Sequence, residues 1–280
     1  MSQESVIYAI NLIIGAILAA LLTQHWRRDG REWNLGAWMV AAWVMTAADL
    51  LFALRPELPY WIGRTAPTLL VTVGQVVLLL WAMRTAGRAT VAALGATIVT
   101  IHAIALVAFL LIDGIAGWRS VTNGLLWGTL SVAAFAFLRR APGASRSALA
   151  IPAAIFLAHG LFHAFRLSFA AVVASGAYPS ASEWVQVIGD VEVSFFMVAL
   201  FVSLLVAHLH LRNEALRAAL HDVQLLSELL PICAWCRKVR ADDGYWQQLE
   251  HYFTARRQVQ FTHGICDSCN AEHFGHAPGA

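Results

Sequence analysis

Seven times along this chain of 280 residues, about 20 residues pass with scarcely a charge among them. That repetition fixes the solvent for which the fold is built. A helix rising about 1.5 Å per residue needs about 20 apolar residues to cross a hydrocarbon layer about 30 Å thick. The runs cover about 5–24, 34–54, 65–83, 90–112, 118–138, 148–174 and 184–206. Helix breakers and charges separate them, as in Arg55-Pro56-Glu57-Leu58-Pro59 and Arg139-Arg140-Ala141-Pro142-Gly143. The sixth run carries Pro152 near its start and is long enough to require a tilt. A composition of 59% hydrophobic and 13% charged residues is too apolar for an ordinary soluble domain. The near-neutral balance argues against a nucleic-acid-binding surface. The opening Met1-Ser2-Gln3-Glu4 has no basic residue and no small-residue cleavage site follows Leu22, so the first run reads as a retained helix and not a secretion signal.

Loop arginines orient the spans, because positive charge stays on the cytoplasmic side. Arg27, Arg28 and Arg31 in the first loop, Arg84 and Arg88 in the third, and Arg139, Arg140 and Arg146 in the fifth form one set. Only Arg55, Arg64 and Arg119 stand against them. The larger set belongs inside, which puts the N-terminus outside and, after seven crossings, the C-terminus in the cytoplasm. Trp26, Trp33, Trp61, Trp81, Trp118 and Trp184 lie near span ends, where interfacial indoles are expected.

Ionisable groups inside a span are costly, so each is a functional candidate. They are Asp49, His102, His159, His163, Arg166, Asp190 and Glu192, with Gln75 and Asn123 as uncharged companions. Counted from the outer span ends, most lie in the outer half of the bilayer, roughly 8–12 Å deep for the shallower ones. This predicts an outward-facing polar pocket for a ligand or ion, with Arg166 paired to Asp190 or Glu192. Structural bonds between helices are the alternative. His159, His163 and Arg166 share one helix face by their i, i+4, i+7 spacing. The two histidines, joined by His102, have the chemistry to hold haem or copper, or else they bond neighbouring helices.

Beyond the last span the helical pattern continues. Leu209, Leu216, Val223 and Leu230 occupy one heptad seam position, and Asn213, Leu220 and Ser227 the other. This predicts a parallel two-stranded coiled coil whose seam asparagine sets register; an amphipathic helix packed on its own chain is the alternative. Pro231 ends it. All four cysteines follow, as Cys233-Ala234-Trp235-Cys236 and Cys266-Asp267-Ser268-Cys269. Four thiolates in two such pairs suit a closed tetrahedral zinc site, with a redox switch as the alternative. His263 stands nearby as a brace or substitute ligand. Between the pairs, a strand at Arg237–Arg240, a turn at Ala241–Gly244, a helix at Tyr245–Phe253 and a strand at Val259–Phe261 are expected. A short helix should open at the second pair.

The run from Val223 through Leu230-Pro231-Ile232-Cys233-Ala234-Trp235-Cys236 continues in Gly244-Tyr245-Trp246 and Phe261-Thr262-His263-Gly264-Ile265-Cys266-Asp267-Ser268-Cys269. It resembles the Leu-Pro-Ile-Cys-x-x-Cys … Gly-Tyr-Trp … Phe-Ser-His-Gly-Ile-Cys-x-x-Cys modules that end bacterial signalling proteins after receiver, PAS or GAF domains. Thr262 and Asp267 replace the usual Ser and Pro. The membrane half is similar in architecture to the seven-helix regions that precede bacterial diguanylate cyclases and other sensors, without a Gly-Gly-Asp-Glu-Phe motif. The resemblance implies a signalling context and carries no catalytic residue.

The fold class expected is therefore an all-α membrane protein of seven transmembrane helices. A coiled-coil linker and a small α+β zinc-finger-like module of treble-clef or ribbon type follow. The divisions are 1–206, 207–230 and 231–280. With no nucleotide loop, kinase signature or nucleophile constellation in view, a non-enzymatic sensor is expected. It would sit as a parallel homodimer in the bacterial inner membrane, carry structural Zn2+ on Cys233, Cys236, Cys266 and Cys269, and act on a cytoplasmic signalling partner. A membrane redox or cofactor-binding protein using the histidines and cysteines is the alternative function.

Overall fold

Backbone amides in hydrocarbon must be bonded within their own segment, and each long apolar run folds as an α-helix. The computed structural model describes residues 3–90, 92–112, 118–174, 181–227, 232–240, 244–257 and 262–275. The long helices are α1 (Gln3–Arg28), α2 (Trp33–Ala53), α3 (Tyr60–Thr85), α4 (Ala92–Leu111) and α5 (Trp118–Leu138). A short α6 (Gly143–Ala148) leads into α7 (Ala150–Ala174), and α8 runs without a break over Ala181–Ser227. Seven of them are long and apolar enough to cross a bilayer, the pattern of a multi-pass membrane protein. The sixth expected run is divided at Leu149, so Pro152 falls in the first turn of α7, where its missing N–H has no intrahelical partner to lose.

The chain forms two compact units, Met1–Glu214 and Ala215–Ala280. In the first, α1 packs on α2, α2 on α3, α3 on α5 and α5 on α7, while α4 flanks α3. α3 is the most enclosed of the spans. Its Leu78, Trp81 and Ala82 meet Leu22, Leu35, Trp38 and Met45 from α1 and α2, and Leu200, Phe201 and Leu204 from α8, in one core. Trp81 therefore departs from the interfacial role expected of it: it is 1% exposed and lies edge-on to Trp38, with ring centroids 5.3 Å apart. Trp33, Trp61 and Trp118 do lie exposed near helix starts. The outward stripes, such as Ile10, Ile13, Ile17 and Leu21 on α1, are apolar and exposed, as a lipid-facing surface requires.

Small residues set the closest helix approach. A Cβ on Gly160 of α7 would fall 2.6 Å from Val132 Cγ2 and 3.3 Å from the Gly128 carbonyl, so α5 and α7 meet backbone to backbone. The same approach leaves His163 Cβ only 3.1 Å from where a Cβ on Gly128 would sit.

At the end of the bundle that carries the eight loop arginines, α8 is tied to the α1–α2 connection. His208 Nε2 donates to Asp29 Oδ2 at 2.9 Å, and Arg212 reaches Asp29 at 3.4 Å and Glu32 at 3.7 Å. The His208 hydrogen bond, and after it Arg212, hold the Asp29 carboxyl below the ordinary carboxylate range.

In the second unit α8 ends at Ser227 and a short antiparallel hairpin follows Cys233 and Cys236. β1 (Val239–Arg240) pairs with β2 (Trp246–Gln247), Val239 facing Gln247. The expected helix at Tyr245 begins later, as α9 (Leu249–Arg257), because Trp246 and Gln247 are taken by the hairpin. α10 (Asp267–Phe274) opens at the second cysteine pair, as expected. The strand expected at Val259–Phe261 lies outside the described residues, as does Leu230 of the heptad seam.

Because the folded-state pKa of Asp29 is depressed, its contribution is complete above the ordinary carboxylate range and is lost as pH falls through the lowered value. The difference in Tm between the natural protein and Asp29→Asn should be constant from neutral to weakly acidic pH and vanish only below that range. A difference that instead closed between pH 6 and 7 would show that Asp29 is not the titrating partner.

Candidate functional site

Four helices turn polar stripes inward. On α3 these are Thr68, Thr72 and Gln75, spaced i, i+4, i+7; on α5 they are Ser120, Asn123 and Trp127, at i, i+3, i+7. α7 brings His159, His163 and Arg166, and α8 brings Glu192 beside the small Gly189. Together with Asp49 of α2 they build two features: a set of buried hydrogen bonds and a cleft.

The first bonded set is closed. Asn123 Oδ1 can only accept, so at 3.0 Å it takes the Nε2 proton of His102. His102 Nδ1 then accepts from the Thr72 hydroxyl at 2.9 Å, and Trp127 Nε1 donates to the same hydroxyl oxygen at 2.9 Å. Both ring nitrogens of His102 are satisfied in the neutral form. Contrary to the expected three-histidine grouping, His102 is not among the donors of His159, His163 and Glu192 that lie within 4.8 Å of one another; α4 packs on α3 and α5.

The second set is open. His159 Nδ1 donates to Glu192 Oε1 at 2.7 Å, and Gln75 Nε2 lies 3.2 Å from His159 Nε2. Glu192 Oε2, Gln75 Oε1 and both ring nitrogens of His163 are buried without a hydrogen-bond partner. The expected Arg166–Glu192 pair is thus replaced by His159–Glu192. The reason is register: α7 and α8 run past each other with Arg166 over Gly189, whose Cβ would sit 2.8 Å from the guanidinium. Glu192, one turn along α8, falls opposite the histidines instead, and Phe196 stacks on His159 at 3.7 Å. The side chain of Asp190 lies outside the described ones, so the other half of the expected pairing does too.

The cleft opens between α2, α3, α5, α7 and α8, and Asp49, His159 and Arg166 are among its walls. Asp49 is 3% exposed with Oδ2 unbonded, and it also borders a small cavity beside Asn11, whose Nδ2 donates to Ser194 at 2.6 Å. The charges sequence reasoning missed are cationic. Arg55, Arg64 and Arg119, which stand against the majority of loop arginines, all line this cleft with Arg166. Arg119 feels the charge of both Arg64 and Arg55, and Arg64 covers the Tyr60 ring at 4.9 Å. Among the described residues the lining holds four guanidinium groups and one carboxylate, Asp49. Their departure from the positive-inside pattern was the signal available in the sequence.

In the second unit each cysteine pair makes its own turn. The Cys236 amide donates to Cys233 Sγ at 3.5 Å, and Arg237 completes the turn with φ +61°. Amides of Cys236 and then Trp235 hold the Cys233 thiol below its usual range. Cys266 caps α10 and its Sγ lies 3.1 Å from Ser268 Oγ; that hydroxyl, followed by the Cys269 amide, brings the thiol down to about 7. Both turns favour thiolate, the form that binds metal. Among the described residues the three-donor cluster with metal-ligand spacing is His159, His163 and Glu192, and the four cysteines are not gathered into one. His263 is exposed, three residues before Cys266.

Comparison of the chain with protein-family models, curated proteins and solved structures finds no match.

The two polar features should separate by mutation. His102→Ala should cost about 1–3 kcal/mol of stability by leaving Asn123 Oδ1 without its donor, while Thr72 keeps its bonds to Thr68 and Trp127. Arg119→Gln relieves repulsion among the cleft cations, so its Tm in low salt should equal or exceed that of the natural protein, with the gain shrinking as salt is added. A fall in Tm for Arg119→Gln matching that for His102→Ala would make the arginines structural.

Proposed function

We propose that the protein is a membrane sensor in which a small anion, bound in the arginine-lined cleft, is reported along α8 to a cytoplasmic cysteine module. The observation that carries this reading is the path of one helix. Gly189, Val193, Phe196 and Met197 of α8 line the cleft, and the same unbroken helix runs on to Ser227, five residues before Ile232 and the first cysteine pair. The loop arginines support an orientation with the cleft mouth outside and the cysteines in the cytoplasm of a bacterial inner membrane. On that orientation the three arginines that oppose the bias are the ones lining the cleft, where an anionic ligand compensates their placement.

Leu209, Leu216, Leu220 and Val223 remain exposed along α8, which supports a parallel homodimer paired through that seam. A seam of about three heptads is weak in solution but strengthened when its strands are held in a bilayer. Signalling then requires an anion that binds one arrangement of α8 better than another. Cys233, Cys236, Cys266 and Cys269 would hold structural Zn2+, whose thiolate ligands the two turns favour. Their resemblance to C-terminal modules of bacterial signalling proteins supports a protein partner as the output. The activity is recognition, with no catalytic step.

Thermal unfolding in nanodiscs, with inorganic phosphate, sulfate, acetate, succinate and citrate added singly at constant ionic strength, tests the ligand class. At least one anion should raise Tm in the natural protein, with the rise abolished in Arg119→Gln and Arg166→Gln. Rises that persist undiminished in both variants, or the absence of any rise, would contradict an anion site formed by these arginines.

A further inference from the structure

The open hydrogen-bond set beside the cleft has a composition that the sensor reading does not use. Within 4.8 Å of one another stand one donor atom each from His159, His163 and Glu192. His163 is 0% exposed, yet neither ring nitrogen has a partner. Burying an imidazole without bonds costs free energy that a native fold does not spend idly. Glu192 Oε2 is likewise unbonded, and its Oε1 receives a single proton from a histidine. A carboxylate at membrane depth needs a cation or a proton.

We propose that His159, His163 and Glu192 form a binding site for a borderline divalent transition metal of the Zn2+ class. Two imidazoles and one carboxylate are a donor set that suits zinc and its first-row neighbours and leaves coordination positions open. Donor atoms within 4.8 Å of one another stand close to the mutual separations that ligands at about 2.0–2.2 Å from one ion require. The ion supplies the positive charge beside Glu192 and occupies a lone pair of His163. His159 and His163 already stand edge to face with centroids 4.5 Å apart, one turn apart on α7.

Gln75 provides the supporting shell. With Nε2 toward His159, its amide donates to the imidazole and Oε1 is left unbonded. Turned over, Oε1 accepts the His159 Nε2 proton, which moves the lone pair to Nδ1, the atom that now faces Glu192. A metal-bound histidine almost always donates its second N–H in this way. Metal binding and the amide turn are one rearrangement: the proton leaves Nδ1 and Nε2 takes one up, a change of tautomer with no net proton lost, and Glu192 exchanges its N–H donor for the ion. His159 lines the cleft and gives the ion its way in. The site stands whether or not the cleft binds an anion.

Co2+ separates this site from the cysteines. Full-length protein is stripped of metal, its thiols are blocked with N-ethylmaleimide, and Co2+ is added in nanodiscs. The blocked protein should bind one Co2+ per chain, giving visible d–d bands without the near-ultraviolet thiolate charge-transfer band. His163→Ala and Glu192→Gln should lose the bands, and Gln75→Ala should weaken binding about 10–100-fold. His102→Ala, an equally buried histidine with complete bonds, should keep them and controls for loss of stability. His163→Gln, closer in volume, repeats the test should His163→Ala fail to fold. Absence of Co2+ uptake by the blocked protein, or bands that survive both His163 substitutions, would overturn the site.

Discussion

A bilayer offers a polar side chain nothing to bond with, so such a group in a spanning helix must find its partner on its own helix or across a helix interface. That constraint organises the membrane unit. Thr72, His102, Asn123 and Trp127 answer it among themselves and lock α3, α4 and α5 together. Gln75, His159 and Glu192 answer it only in part, and His163 not at all. The contrast between the two sets is what distinguishes bundle structure from candidate chemistry. Ionisable residues of the same type, a helix apart, play opposite roles because one set is complete and the other is not.

The geometry that places them is made by residues with little chemistry of their own. Gly128 and Gly160 let α5 and α7 approach until His163 is sealed between them, and Gly189 gives the Arg166 guanidinium its seat on α8. Both belong to the small-residue packing by which helices associate without a hydrophobic drive. α8 links this interior to the other unit along one covalent helix, and its tie to Asp29 through His208 and Arg212 lies where the helix leaves the bundle core at Ala207. A shift of α8 prompted in the cleft has to pass that tie.

Hydropathy made the seven spans legible, since a 20-residue apolar run has one stable form in lipid, and their bounds in the structure differ by a few residues. The face shared by His159, His163 and Arg166 was legible from spacing. Partner choice was not. It depends on the register between α7 and α8, which sets Gly189 and not Glu192 against Arg166, and register is fixed by packing of Phe156, Phe196 and the glycines over the whole interface. Trp81 misled because a tryptophan near a span end is interfacial only if its helix faces lipid, and α3 is enclosed. Arg55, Arg64 and Arg119 were legible only as exceptions to a charge bias, and gained meaning when the fold drew them to one cleft. In the second unit the hairpin claimed Trp246 and Gln247, a long-range pairing that the helical pattern of Tyr245–Phe253 does not reveal.

If the cleft and the cysteine module are coupled as proposed, occupation of the cleft is felt in the part of α8 beyond the bundle. Hydrogen–deuterium exchange of the full-length protein in nanodiscs, with and without the anion that most raises Tm, measures this at the backbone amides of residues 207–227. The anion should change exchange in that segment as well as in the cleft helices, and Arg119→Gln should abolish both changes. Protection confined to the cleft helices, with 207–227 exchanging identically in both states, would contradict that coupling.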